Sequence, residues 1–231
     1  MGLILSLETA THVCSVSLAR EGVVIESRES REEKSHASQL TVFIQEVLQA
    51  QDLEPADLDA VAVSKGPGSY TGLRIGVSTA KGFCYGADIP LIAVDTLQAM
   101  AWGMQHSEHG SSEEWLCPMI DARRMEVYAA LFNSKLEEIR GIKAEVVDEH
   151  TYNQWLEMQT ICFFGTGADK LVNVLTHKQA KVVENFLPSA EYMASLAETA
   201  FQNKQYENVA YFEPFYLKEF MATIPKKNIY R

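Results

Sequence analysis

The sequence has no paired cysteines, no excess of basic residues and no long apolar run, and each shortage closes a class of function. Its four cysteines, Cys14, Cys84, Cys117 and Cys162, are scattered without a C-x-x-C pair. That spacing suits free, buried thiols in a reducing compartment and predicts neither a disulfide nor a zinc site. Lysines and arginines number 20 against 31 aspartates and glutamates, a net charge of −11. The chain as a whole therefore has no attraction for nucleic-acid phosphates, and contact with RNA is expected to need a partner's basic surface. No apolar stretch approaches the ~20 residues that cross a bilayer. The opening Met1-Gly2-Leu3-Ile4-Leu5-Ser6-Leu7-Glu8 has no basic leader and reaches an acid after a short apolar run, so no signal peptide is expected. The expected setting is the cytoplasm, away from any membrane.

What is present is enough apolar material for one large core or two small ones: 231 residues, 47% of them hydrophobic. The stretch 61–86 organises the rest. It opens on a Val-rich run, breaks at Gly66-Pro67-Gly68 and recovers helical spacing from Thr71, which reads as strand, tight turn and helix. Gly72, Gly76 and Ala80 recur at every fourth position. Each interior glycine costs a helix about 1 kcal/mol relative to alanine, so something must offset them. A stripe without side chains lets another helix approach closely, and this stripe is read as a packing face. Internal packing of the domain is the bland alternative. Phosphate binding at this glycine-rich turn is the other, but Leu73 and Arg74 follow Gly72 where a Walker loop needs Lys-Ser/Thr, and Thr71 replaces the third glycine of a dinucleotide fingerprint.

Taken in order, residues 3–7, 13–18 and 23–25 alternate as a three-strand antiparallel meander. The turn Glu8-Thr9-Ala10-Thr11 lies where sugar kinases and actin-like ATPases carry an acid followed by Gly to hold metal and phosphate, and a Cβ at Ala10 hinders that approach. After the charged run 28–34, Ser35 is a candidate cap for a helix whose apolar stripe is Leu40, Phe43, Ile44, Val47 and Leu48. Strands follow at 60–63 and 89–94, and Asp95 or Thr96 can cap a helix through Trp102. Residues 103–114 turn polar and small, as a linker does, with His106 and His109 solvated on it. Strands at 116–121, 126–132 and 142–147, a helix at 152–158, a strand at 161–164, the turn Gly165-Thr166-Gly167 into a helix near 171–175, a strand at 181–183 and a helix at 189–201 repeat the element order. The aromatic stretch 211–218 is expected to pack back onto the body. The expected fold is α/β with two actin-like, sugar-kinase-like (ASKHA, RNase H-like) lobes, each a mixed sheet flanked by helices. The lobes are 1–103 and 104–208, and 209–231 returns to the body.

Residues 5–9, Ser35-His36 with Leu40, the run Gly66-Pro67-Gly68-Ser69-Tyr70-Thr71-Gly72-Leu73-Arg74-Ile75-Gly76, Asp121-Ala122-Arg123-Arg124 with Glu126-Val127-Tyr128, and Glu213-Pro214 with Tyr216-Leu217 together resemble the bacterial TsaB (YeaZ) family. The resemblance spans both halves. It implies a non-catalytic scaffold or activator in the synthesis of threonylcarbamoyladenosine on tRNA, binding the catalytic subunit TsaD with the ATPase TsaE and meeting tRNA only through that complex. It also implies that the first two helices of the N-terminal lobe form the partner interface, over which the chain can pair with itself. The residues expected there are Leu40, Phe43, Ile44, Val47, Gly72, Ile75, Gly76, Thr79, Ala80 and Phe83, with Gly76→Leu expected to break the complex and spare the fold. The catalytic relative holds a metal through two histidines at i and i+4, whereas here His36 faces Leu40 at that spacing. No metal site, no cofactor and no catalytic residue is expected. His36 reads as a hydrogen-bonding residue, Asp121 with Arg123 and Arg124 as a tight turn, and Ser69 has no neighbouring base. A sugar-kinase-like ATPase is the rival reading, and a homodimeric binding module a third.

Overall fold

The alternation at the start of the chain becomes three antiparallel strands, β1 (Leu3–Glu8), β2 (Cys14–Arg20) and β3 (Val23–Ser30), in register Leu5 to Leu18 and Ser17 to Ser27. The computed structural model describes residues 1–32 and 35–218. Glu21 and Gly22, both at positive φ, close the β2–β3 hairpin in two residues. Helix α1 (His36–Gln49) crosses to a short 3-10 turn (Pro55–Asp57), and β4 (Ala60–Ser64) then enters parallel to β1. Helix α2 (Tyr70–Ala87) and β5 (Leu91–Val94) complete a sheet of order β3-β2-β1-β4-β5. β1 and β4 are buried along their whole length, so both faces of the sheet are covered there.

Helix α3 (Thr96–Gln105) starts on Asp95, whose carboxylate accepts from the Leu97 and Gln98 amides. The second sheet has order β10-β9-β6-β7-β8, built from β6 (Trp115–Asp121), β7 (Glu126–Phe132), β8 (Glu138–Val146), β9 (Ile161–Phe164) and β10 (Ala180–Val183). Its helices α4 (Asn153–Leu156) and α5 (Thr166–Asp169) are single turns. The helix expected near 171–175 is instead a run of turns after α5, and the one expected at 152–158 shrinks to α4. Both are covered by Tyr152, Leu156, Leu171 and the aromatic β9 core rather than by a long amphipathic stripe. The architecture is thus two mixed five-stranded sheets flanked by helices, as the sequence indicated.

Two helices cross between the halves of the chain. Leu97, Met100 and Met104 of α3 cover Leu116, Ile120 and Phe164 of the second sheet. Met193 and Ala197, leading into and lying on α6 (Ala194–Gln202), cover Ile4, Ala60 and Ile92 of the first. The segment 206–218 then straps the two sheets together. The Glu207 amide donates to Leu91 O at 2.8 Å, Lys81 Nζ donates to Ala210 O and Phe212 O, and the Phe215 amide donates to Lys65 O at 2.7 Å. Lys218 pairs with Glu126 on β7. The rest of the expected 209–231 segment lies outside the described residues.

Candidate partner interface

The glycines of α2 face inward. Ser69 caps the helix by accepting from the Gly72 amide, and Thr9 Oγ1 donates to Gly72 O at 2.9 Å. A Cβ on Gly76 would overlap Thr9 Oγ1, one on Gly72 would overlap Thr9 O, and one on Gly68 would overlap Ala10 O. The turn after β1 therefore lies flat on the helix backbone, and Ala80 is fully buried beside it. This corrects the expectation that Gly72, Gly76 and Ala80 form an outward groove: their close neighbour belongs to the same lobe. The expected anchors Leu40, Ile44 and Val47 are likewise buried, packed with Leu5, Leu7, Val61 and Val63. An apolar stripe on a helix covers its own sheet first. Ser35 also departs from expectation, since its hydroxyl donates to Glu32 O and does not cap α1.

At the centre of the turn is Glu8, wholly buried at the end of β1. Its Oε1 accepts from the Ala10 amide at 2.5 Å and from Ser64 Oγ at 3.1 Å, while Oε2 has no partner among the described residues. Burial pushes its carboxyl up from 4.5 to about 7, against the opposing pull of those hydrogen bonds. An acid that is half neutral near pH 7, and that water cannot reach, is a poor ligand for a cation. Thr9 and Ala10 are as buried as Glu8, so a phosphate has no room at the place where a kinase of this fold would seat one.

Outside this seal, the four remaining expected residues, Phe43, Ile75, Thr79 and Phe83, are partly exposed. Thr79 and Phe83 line an open hollow of about 610 Å³ between α1 and α2, with Thr41 opposite and Pro55 at one end. Its floor is a second small-residue stripe, Ser78, Gly82 and Gly86, about a third of a turn from the buried one. A Cβ on Gly82 or Gly86 would meet nothing within 4 Å. A second hollow of about 620 Å³ shares Gly82 and is bounded by Lys81, Tyr85 and Val209. Val42 on α1, Tyr85 on α2 and Tyr211 on the strap are exposed at 46%, 86% and 84%, and Tyr85 lines the second hollow. Sequence reasoning missed Thr41, Val42, Pro55, Gly82, Tyr85, Gly86 and Tyr211. The signal for Gly82 and Gly86 was there, as two more helix-weakening glycines four apart.

The remaining chemistry is structural. His36 Nε2 lies 3.1 Å from Val13 O, buried, as a hydrogen-bonding residue should be. All four cysteines are free and buried, and burial raises their thiols to about 11 for Cys14 and Cys84 and about 12 for Cys117 and Cys162, far from nucleophilic. Among the described residues, no three His, Cys, Asp or Glu side chains converge to hold a metal ion, and no helix is long and apolar enough to cross a membrane.

Known proteins are similar to this chain over most of its length. The tRNA threonylcarbamoyladenosine biosynthesis protein TsaB of Escherichia coli K12 is 33% identical over 230 residues, covering 95% of this chain and 96% of its own length. The chain belongs to the TsaB family. The Bacillus subtilis TsaB is 31% identical over 202 residues, covering 84% of this chain and 81% of that protein. YeaZ from Pseudomonas aeruginosa superimposes with a TM-score of 0.82 at 25% identity, covering 94% of this chain and all of that one. Residues 23–226 also match the family described as TsaD, tRNA N6-adenosine threonylcarbamoyltransferase. An activator of 2-hydroxyisocaproyl-CoA dehydratase from Clostridium difficile, solved with bound ADPNP, shares the actin-like fold alone, at TM-score 0.50 and 8% identity over 90% of this chain and 99% of that one. In this chain the turn after β1 is closed by helix α2.

Proposed function

We propose that this chain is a non-catalytic subunit in the synthesis of threonylcarbamoyladenosine on tRNA, and that it acts by docking and activating a TsaD-like catalytic subunit together with a TsaE-like ATPase. The observation that carries the reading is the outward face of α1 and α2, where Thr79, Phe83, Gly82 and Gly86 form an open, mostly apolar hollow that shares Gly82 with a second one lined by exposed Tyr85. Such a face, floored by glycines, admits a partner helix to close range. Phe43 and Ile75, half-buried on the same two helices, are assigned to this interface, and in the absence of the catalytic subunit a second copy of this chain covers the same face. The sealed turn at Glu8, Thr9 and Ala10 supports a role without nucleotide chemistry, and nothing observed favours the sugar-kinase reading. The two lobes divide near residue 104, with α3 and α6 exchanged between the sheets, and the reduced thiols fit the cytoplasm.

Reconstitution tests this. With purified TsaD-like and TsaE-like partners, tRNA and ATP, modification should require this chain, and the chain alone should release no ADP. Full modification without it, or steady ATP turnover by the isolated chain, would remove the proposal.

A further inference from the structure

The hairpin between β6 and β7 carries arginine at two positions whose backbone conformation favours glycine or asparagine. Arg123 and Arg124 stand at φ 72° and 52°, in the left-handed region that glycine and asparagine occupy at least cost. They are the only two consecutive non-glycine residues of that conformation among the described residues. The turn around them is firmly held. Asp121 Oδ1 accepts from the Arg123 amide at 2.8 Å, and the Glu126 amide donates to Arg123 O at 3.2 Å. Lys170 Nζ, mostly buried, clamps Asp121 Oδ1, Arg124 O and Glu126 O at 2.5, 2.8 and 2.7 Å. On this rigid tip both arginines are exposed, and neither guanidinium has a hydrogen-bond or ion-pair partner among the described residues. Strain at two residues whose side chains do nothing for the fold points to a use for those side chains.

The surroundings indicate the use. Lys218 lies over the Tyr128 ring at 5.8 Å, on the strand that leaves the hairpin. Two residues back along the strap, Tyr216 meets Tyr70 with ring centroids 4.8 Å apart, and the Arg74 guanidinium lies 5.4 Å from the Tyr70 centroid. Lys218 is paired with Glu126 and Tyr128 is buried, so the exposed cations here are Arg123 and Arg124 on the hairpin and Arg74 on α2, the last beside the half-buried Tyr70 and Tyr216, on a chain whose net charge is −11. Neither hollow described above includes these residues. An exposed, rigid, cationic edge with aromatic faces matches an extended polyanion bearing stackable rings better than a small nucleotide, which needs a concave site.

We propose that Arg123 and Arg124 contact the phosphodiester backbone of tRNA, with Arg74, Tyr70 and Tyr216 extending the contact toward α2. The inference rests on the reading of the chain as a subunit of a tRNA-modifying complex. It replaces the expectation that RNA is met only through a partner's surface.

The test is fluorescence anisotropy of a labelled, unmodified tRNA transcript titrated with the reconstituted complex at several salt concentrations. The variant R123N/R124G places preferred residues in the left-handed positions, so its Tm should hold or rise while tRNA affinity falls tenfold or more at about 0.1 M salt. The slope of log K against log salt should become shallower by about 2, one per lost phosphate contact, and R123K/R124K should recover most of the loss. Unchanged affinity and slope in R123N/R124G would overturn the inference, as would a loss of ATP binding with tRNA binding intact. Assembly is followed separately by sedimentation. If the wild-type chain fails to assemble with the catalytic subunit, the proposed function fails. The titration is then read on the chain alone: a selective loss in R123N/R124G supports the contact, and equal or absent binding by both forms overturns it.

Discussion

One hydroxyl decides which way the small residues of α2 face. Thr9 Oγ1 donates to Gly72 O, and the space that a Cβ on Gly76 would need is taken by that same oxygen. Gly76→Ala should therefore destabilise the fold by about 1–3 kcal/mol, as overpacking of a close-packed core does. Gly76→Leu should cost more and fail by unfolding, not by selective loss of a partner. Urea melts of Gly76→Ala decide this, because an unchanged midpoint would mean the turn does not rest on the helix. Glu8 gives a second residue-level prediction. Its folded value, about 7, stands above its ordinary 4.5. The native state thus binds more protons than the unfolded chain between those values, and stability falls as pH rises through the window, by about 3 kcal/mol in all for a displacement of that size. Below about pH 4.5 both states hold the proton and the penalty vanishes. Glu8→Gln keeps an acceptor for the Ala10 amide without the charge, so its stability relative to wild type should grow from pH 5 to pH 8. Melts at the two pH values with a constant difference would contradict the assignment.

At the scale of elements, α2 carries two stripes of small residues, and only one of them faces solvent. Gly82→Ala and Gly86→Ala should each raise stability, by up to about 1 kcal/mol, since a helix gains from losing an exposed glycine and the new Cβ meets nothing. A loss of stability in thermal melts would show that these glycines already contact the chain. Most elements were legible beforehand because their periodicity was strong: period 2 in residues 3–18, a 3.6-residue stripe at Leu40, Ile44 and Val47, and side-chain capping at Asp95. The orientation of α2 was not legible. A helix with Gly72, Gly76, Ala80, Gly82 and Gly86 has little hydrophobic contrast around its circumference, so its orientation depends on where the turn at Thr9 lands, a contact across 63 residues. Four of the ten expected interface residues, Phe43, Ile75, Thr79 and Phe83, remain partly exposed. The strained hairpin at Arg123 could be read from sequence only as a turn, since φ is not written in residue order.

Across the whole molecule, α3 and α6 each cover the sheet of the opposite half, and the strap from Glu207 to Lys218 joins both. Lys81 holds the strap through two carbonyls. Lys81→Met should raise amide exchange over residues 206–213 while leaving β1, β4 and β9 protected; uniform protection would show that the strap is fixed by its other contacts. The strap also contributes Asn208, Val209 and Ala210 to the second hollow, which shares Gly82 with the one between α1 and α2. The central claim is that this chain works by being docked on the outward side of α2. Calorimetric titration of the TsaD-like subunit into wild type and into Gly82→Arg tests it most directly, because the arginine enters open space and leaves the core untouched. At unchanged Tm, affinity should fall at least tenfold, about 1.4 kcal/mol; equal affinity for the two forms would contradict the account.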